Sequence, residues 1–184
     1  MTIELAYFPP VQHFQHFSRA TEIWIEQCEN YQKNSCRNRC HIATANGLLR
    51  LTVPLQKGKH ESQPIRDVRI AYDLAWQRQH AQSIVSAYSK APFFEDYWHE
   101  IQPFFEKKYD FLFDFNWAIL TKMHQLLSLE TPFFLTEKFF PPAAISGAAF
   151  RPYPQVFEDR HGFLPNLSVL DLLFCLGSDW RSGV

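Results

Sequence analysis

Arg37, Arg39, His41 and Arg50 fall where one side of a β-hairpin would carry all of them. Guanidinium forks so grouped bind phosphate or carboxylate in bidentate geometry, which marks this face as an anion site. A solvated sheet face explains the same pattern, because antiparallel sheets often expose one side. His80 sits between Trp76 and Ile84 on an apolar helical stripe. It is either a general base tuned by burial or a core histidine held by a backbone carbonyl. His13 and His16 share a helix face, as metal ligands do, but no third ligand accompanies them. Cys36, Cys40 and His41 make a poor metal cluster. Four strand residues span about 13 Å and His41 points to the opposite face, whereas zinc–sulfur bonds are about 2.3 Å. No metal is therefore assigned, and the cofactor stays unknown. The sequence has no G-x-S-x-G elbow, Walker loop or G-x-G-x-x-G turn. Cys175, inside an apolar helix, reads as inert packing, and Glu158 to His161 as an exposed polar loop.

These side chains need elements to hold them. Ile3 to Tyr7 reads as a strand closed by Pro9-Pro10, Gln12 to Ala20 as a short helix, and Glu22 to Gln27 as a second, alternating strand. So tight a strand–helix–strand sequence suggests a parallel pair. Asn46-Gly47 suits a two-residue type I′ hairpin turn. That turn sets Ala45 opposite Leu48, Ala43 opposite Arg50, His41 opposite Thr52 and Arg39 opposite Pro54. Cys40, Ile42, Leu49, Leu51, Val53 and Leu55 then share the other face. Asp67 to Ala71 reads as a further strand. Asp73 caps a helix to about Lys90, with Trp76, His80, Ile84, Ala87 and Tyr88 on one stripe. A second helix runs from Phe93 to Lys107, bent near Pro103, and a third from Phe115 to Leu129. Thr131 to Tyr153, rich in proline and aromatics, reads as a covering segment. Ser168 and Asp171 resemble a capping box that opens a buried C-terminal helix, with Gly177 at its end.

The fold class is therefore α/β with mixed α and β: one mixed sheet including the hairpin near 37–55, helices in the second half, and a single domain over 1–184. The 18 Phe, 7 Tyr and 5 Trp need a substantial core, which excludes a disordered chain. A net charge of −1 provides no field to recruit nucleic acid. No apolar run reaches the roughly 18 residues of a membrane span, and residues 1–10 lack signal-peptide features. The four cysteines then read as reduced thiols, and the expected location is cytoplasmic. The oligomeric state stays open.

Several segments together resemble the WbqC-like family. They are Phe8-Pro9-Pro10 with Gln12-His13-Phe14, Asn30-Tyr31 before Arg37-Asn38-Arg39, and Trp76-x-x-x-His80 leading to Tyr88. Tyr153-Pro154-Gln155 and the run Phe163-Leu164-Pro165-Asn166-Leu167-Ser168 through Asp171 to Phe174 complete the likeness. The resemblance implies a place among O-antigen and other surface-polysaccharide proteins, with a glycine-transferase role on a sugar suggested for the family. It makes His80 the candidate catalytic residue and Arg37, Asn38, Arg39, Gln12 and Tyr88 the candidate substrate-binding residues. Two departures stand out: Ala6-Tyr7 replaces a Gln-Pro pair, and Gln27-Cys28 replaces two adjacent acids, flanked here by Glu26 and Glu29.

The leading reading is a transferase moving a small acyl or aminoacyl group onto a sugar. His80 would be the base, and the Arg37 and Arg39 face would hold the donor's phosphates or carboxylate. Its small-molecule partner is an activated sugar or an acyl donor. A non-catalytic binding or scaffold protein of a polysaccharide assembly complex is one alternative. A nucleotide-dependent α/β enzyme, with Pro9 to Phe17 at the nucleotide, is another.

Overall fold

A computed structural model describes residues 1–58, 62–143 and 152–182. Helices and strands are mixed, as the periodicity implies, but the strands form two sheets rather than one. The first sheet is parallel, with order β1 (Thr2–Ile3), β2 (Ile23–Ile25), β5 (Phe133–Leu135). Thr2 faces Trp24, and Ile23, Trp24 and Ile25 face Phe133, Phe134 and Leu135. The crossover from β1 to β2 carries the short helix α1 (Val11–Phe17), which buries Val11, Phe14 and Phe17. The third strand lies inside the segment read above as irregular cover. Its three residues are too few to show alternation, and only the free edge of β2 reveals them as a strand. The part of that segment from 144 to 151 lies outside the described residues.

The second sheet is the hairpin of β3 (Arg39–Thr44) and β4 (Gly47–Thr52). Its turn is Ala45-Asn46, and Thr44 faces Gly47, so Arg39 faces Thr52, Cys40 faces Leu51 and His41 faces Arg50. The pairing is thus shifted by two residues from the type I′ expectation. Gly47 takes φ 98° while Ala45 and Asn46 keep negative φ, and the Thr44 hydroxyl donates to the Gly47 carbonyl at 2.8 Å. A shift of two preserves which side chains share a face. Cys40, Ile42, Leu51 and Val53 are buried as expected, whereas Leu49, nearer the tip, is 37% exposed.

Asp67 to Ala71 is not a strand. A 3-10 turn covers Ile65–Asp67, and only isolated bridges follow, Ile70 to Leu55 and Arg69 to Phe111. Helix α2 (Trp76–Tyr88) buries the stripe read from sequence, but it starts later than Asp73, and Ala75 precedes it without a side-chain cap. Helix α3 (Phe94–Ile101) gives way at Pro103 to a 3-10 turn over Gln102–Phe105, and α4 (Leu112–Leu126) follows. After the one-turn α5 (Glu158–His161) comes α6 (Val169–Leu176), buried from Val169 through Cys175. Ser168 caps α6 by accepting from the Leu170 amide, and Gly177 ends it with φ 64°. Asp171 does not complete a capping box. Its Oδ2 accepts from the Tyr153 hydroxyl at 2.8 Å and from Gln155 at 3.0 Å. One cluster of buried apolar side chains runs from Ile3 to Trp180. No helix among the described residues is long and apolar enough to cross a membrane.

Candidate functional site

The residues that converge come from the carboxyl end of β1 and from loops beyond it. Phe8, fully buried and followed by Pro9, takes φ 38°. A bulky residue held at positive φ is strained, and such strain clusters at functional turns. It turns the chain from β1 into α1, and backbone bonds fix the result. The Tyr7 amide donates to the Cys36 carbonyl at 3.0 Å, the Val11 amide to Leu167 at 2.9 Å, and the Val169 amide to Pro9 at 2.8 Å. Asn166, with φ 56° in the left-handed region that asparagine tolerates, accepts from the Gln12 amide at 3.3 Å. The segment after β5 passes from Thr136, whose amide donates to Ile25, to Ala143, whose amide donates to Thr2. Buried Glu26 ties this strap down by accepting from the Phe140 amide at 2.7 Å and the Thr136 hydroxyl at 3.1 Å.

These ties enclose a cavity of about 410 Å³, bordered by Glu4, Gln12, His13, Cys36, Arg37 and Asn166 among others. The volume suits a small polar ligand, and the crevice outside the carboxyl ends of parallel strands is where open α/β sheets bind ligands. His13 is 7% exposed, and its Nδ1 is buried without a hydrogen-bond partner. Burial, with the charge of His16 adding to it, lowers its pKa to about 4, so the ring is uncharged near neutral pH. Burial also pushes the Cys36 thiol up, and Glu4 adds to this, so Cys36 is protonated and is no thiolate nucleophile.

Arg37 lies in a 3-10 turn, Cys36–Asn38, ahead of β3 rather than on the hairpin face. Its Nε and Nη2 donate to the two oxygens of Glu29 at 2.7 and 2.5 Å, with both side chains buried. Burial opposes its charge, but the Glu29 carboxylate outweighs that and holds the guanidinium above its ordinary pKa. Nη1 makes no hydrogen bond among the described residues. The shared cationic face expected from sequence is therefore divided. Arg39, whose Nη1 donates to Asn34 at 2.9 Å, stays with His41 and Arg50 on the hairpin. Among the predicted residues, the structure brings Gln12 and Arg37 together at the cavity.

It places the others elsewhere. Asn38 is buried, donating to the Val53 carbonyl and accepting from the Tyr31 hydroxyl, each at 2.9 Å. His80 is 6% exposed on the core side of α2 and is not among the residues lining the cavity. Its Nδ1 lies 2.9 Å from the Tyr7 hydroxyl, and the Thr52 carbonyl also meets the ring. A carbonyl can only accept, so the ring donates to Thr52 and takes the Tyr7 proton at Nδ1. Burial, not a positive neighbour, lowers the His80 pKa to about 4. Tyr88 is fully buried and accepts from the Ala43 amide at 3.3 Å.

Glu4, His13, Cys36 and Asn166 were not put forward as site residues from sequence. His13 and Asn166 do fall within the quoted family segments, a signal that was there to use. Nothing local marks Glu4 or Cys36. Among the described residues, no three His, Cys, Asp or Glu side chains gather as a metal site.

The model of the WbqC-like protein family matches residues 6–147, most of the 184-residue chain. The chain belongs to the WbqC-like family. No curated protein and no solved structure matches it. The match covers Gln12, His13, Cys36 and Arg37 of this WbqC-like cavity and leaves Glu4 and Asn166 outside. It also ends before the segment from Tyr153 to Phe174. That segment has a structural account: Gln155 brackets Leu164 through both its amide atoms and supports Asp171. The acids flanking the replaced pair at Gln27 and Cys28 are likewise engaged, Glu26 on the strap and Glu29 on Arg37.

Proposed function

We propose that this WbqC-like protein is a transferase of surface-polysaccharide synthesis that places a small acyl or aminoacyl group on a sugar. The observation that carries this reading is the convergence of Glu4, His13, Cys36 and Arg37 on one cavity of monosaccharide scale. In this reading His13, uncharged at neutral pH, accepts the proton of the attacking hydroxyl or amine. With a pKa of about 4 it is a weak base, but near neutral pH it stays unprotonated and able to accept. Arg37 Nη1 donates to the carbonyl oxygen as negative charge develops there and the donor's leaving group departs. His80 then serves as a positioning residue through Tyr7, at the end of the turn that carries Pro10 to His13.

The test is mass spectrometry of sugars incubated with the protein and acyl-coenzyme A or activated amino-acid donors. A product heavier by one acyl or aminoacyl group, lost in His13→Ala and retained in His80→Gln, supports the reading. No product from any donor and sugar in the set rejects it. A second reading, a non-catalytic binding protein of a polysaccharide assembly, is favoured by one observation. Phe134, Phe139 and Phe140 are exposed along the strap beside a hollow of about 510 Å³ at Trp24. It is the reading left standing if ligands bind and no group is transferred.

A further inference from the structure

The charge balance of the cavity bears on the class of ligand, and this inference rests on reading that cavity as the substrate site. Among the described residues, Arg37 is the only Lys or Arg side chain on its wall. Two of its three guanidinium nitrogens are already bound to Glu29, so the pair enters the balance as a neutral unit. Glu4 remains. Its carboxylate lies 3.9 Å from Arg37 Nη2, a distance too long for a hydrogen bond, and its side chain is 30% exposed. His13 supplies no compensating charge, since burial keeps its ring neutral. A phosphate entering here meets uncancelled negative charge and a guanidinium whose bidentate edge is taken.

The polar lining points the same way. Gln12, Gln32 and Asn166 line the wall with side-chain amides. Among the described residues, the one bond these side chains make is that of Asn166 Oδ1, which accepts from the Gln12 backbone N–H. Amides of this kind bind hydroxyl groups, each offering both donor and acceptor. His13 offers an uncharged ring whose Nδ1 has no hydrogen-bond partner, and Arg37 Nη1 offers donors alone. A ligand that fits must bring a positive charge to Glu4 and hydroxyls to the amides.

We propose that the cavity takes a small hydroxylated amine of the amino-sugar class, without phosphate, its ammonium paired with Glu4 and a neighbouring oxygen accepting from Arg37 Nη1. Once the ammonium has given one proton to the Glu4 carboxylate, the free amine is also the acceptor of the proposed transferase. The ammonium is the selecting feature, and the same framework with its amine acetylated or with a phosphate added is rejected.

Isothermal titration of the full chain with glucosamine, N-acetylglucosamine and glucosamine 6-phosphate tests this, with the same series on Glu4→Gln. Glutamine keeps the size of this partly exposed side chain, and melting curves confirm that the variant folds. Glucosamine should bind the unmodified protein at least tenfold more tightly than either other probe, and Glu4→Gln should abolish that preference. Equal or tighter binding of the acetylated or phosphorylated probe, an unchanged preference in Glu4→Gln, or no binding of glucosamine overturns the proposal. The outcomes separate from those of the transferase reading. Glutamate-dependent glucosamine binding without any transfer product rejects catalysis alone, and transfer to a neutral sugar rejects the amine alone.

Discussion

Glu29→Gln is the substitution whose cost follows most directly from the structure. The carboxylate and the Arg37 guanidinium are 2% and 3% exposed, and two bonds of 2.7 and 2.5 Å join them. Removing one partner of a buried pair leaves a charge with neither water nor counter-ion, which costs about 3–5 kcal/mol. Glu4 at 3.9 Å recovers part of this. Because Glu4 is 30% exposed, solvent screening holds that recovery to about 1 kcal/mol. The glutamine oxygen still accepts one bond, so the net loss is about 2–4 kcal/mol. In a chain of this length each kcal/mol moves Tm by about 2–4 °C, which gives a fall of about 10 °C. Scanning calorimetry of Glu29→Gln, Arg37→Met and the double variant Glu29→Leu/Arg37→Met measures it. The double variant should recover at least half of the loss, because a buried pair can be replaced by apolar packing at little cost. A Tm within about 1 °C of the parent for Glu29→Gln, or a double variant no better than either single, would refute the reasoning.

Two further outcomes concern pH. Burial raises the Asp171 pKa to about 6 against about 3.8 unfolded, so the folded state binds the proton more tightly. Its contribution to stability is full below pH 3.8 and is lost as pH rises to about 6, a fall of about 3 kcal/mol. Denaturant titrations of Asp171→Asn from pH 4 to 8 should lack that fall relative to the parent; parallel curves would refute it. His80 acts in the opposite sense, with a folded pKa of about 4 against about 6.5 unfolded. Its neutral form contributes fully above pH 6.5, and about 3 kcal/mol is lost as pH falls to 4. His80→Gln should flatten this arm of the curve, and an unchanged acid limb would remove His80 from the account.

The sequence by itself determined which faces are buried. The stripe from Trp76 to Tyr88 packs inward as its 3.6-residue spacing requires, and α6 is buried because Val169 to Cys175 is apolar almost all round. The two faces of the hairpin were legible even though its register was not. Period two survives a shift of two residues, whereas the turn was settled locally by Gly47 and the Thr44 hydroxyl. Short range failed where a partner decided the outcome. Phe133 to Leu135 becomes a strand because the edge of β2 is free to accept it. Asp67 to Ala71, with apolar residues of its own, finds only single bridges.

Tertiary structure alone decided the site. Pattern put Arg37 forward and the family likeness added Gln12, but neither carries a distance. It could not show that Glu29 occupies the guanidinium fork of Arg37, or that Arg39 stays behind on the hairpin. His80 and His13 are each a histidine on a helix, and burial lowers both pKa values to about 4. What separates them is the company each keeps. Tyr7 and Thr52 satisfy the ring of His80, while His13 borders the cavity with its Nδ1 unpartnered. Burial is written in periodicity because it depends on neighbours three and four residues away. The satisfaction of a polar atom depends on groups brought from dozens of residues away, and only the folded chain specifies those.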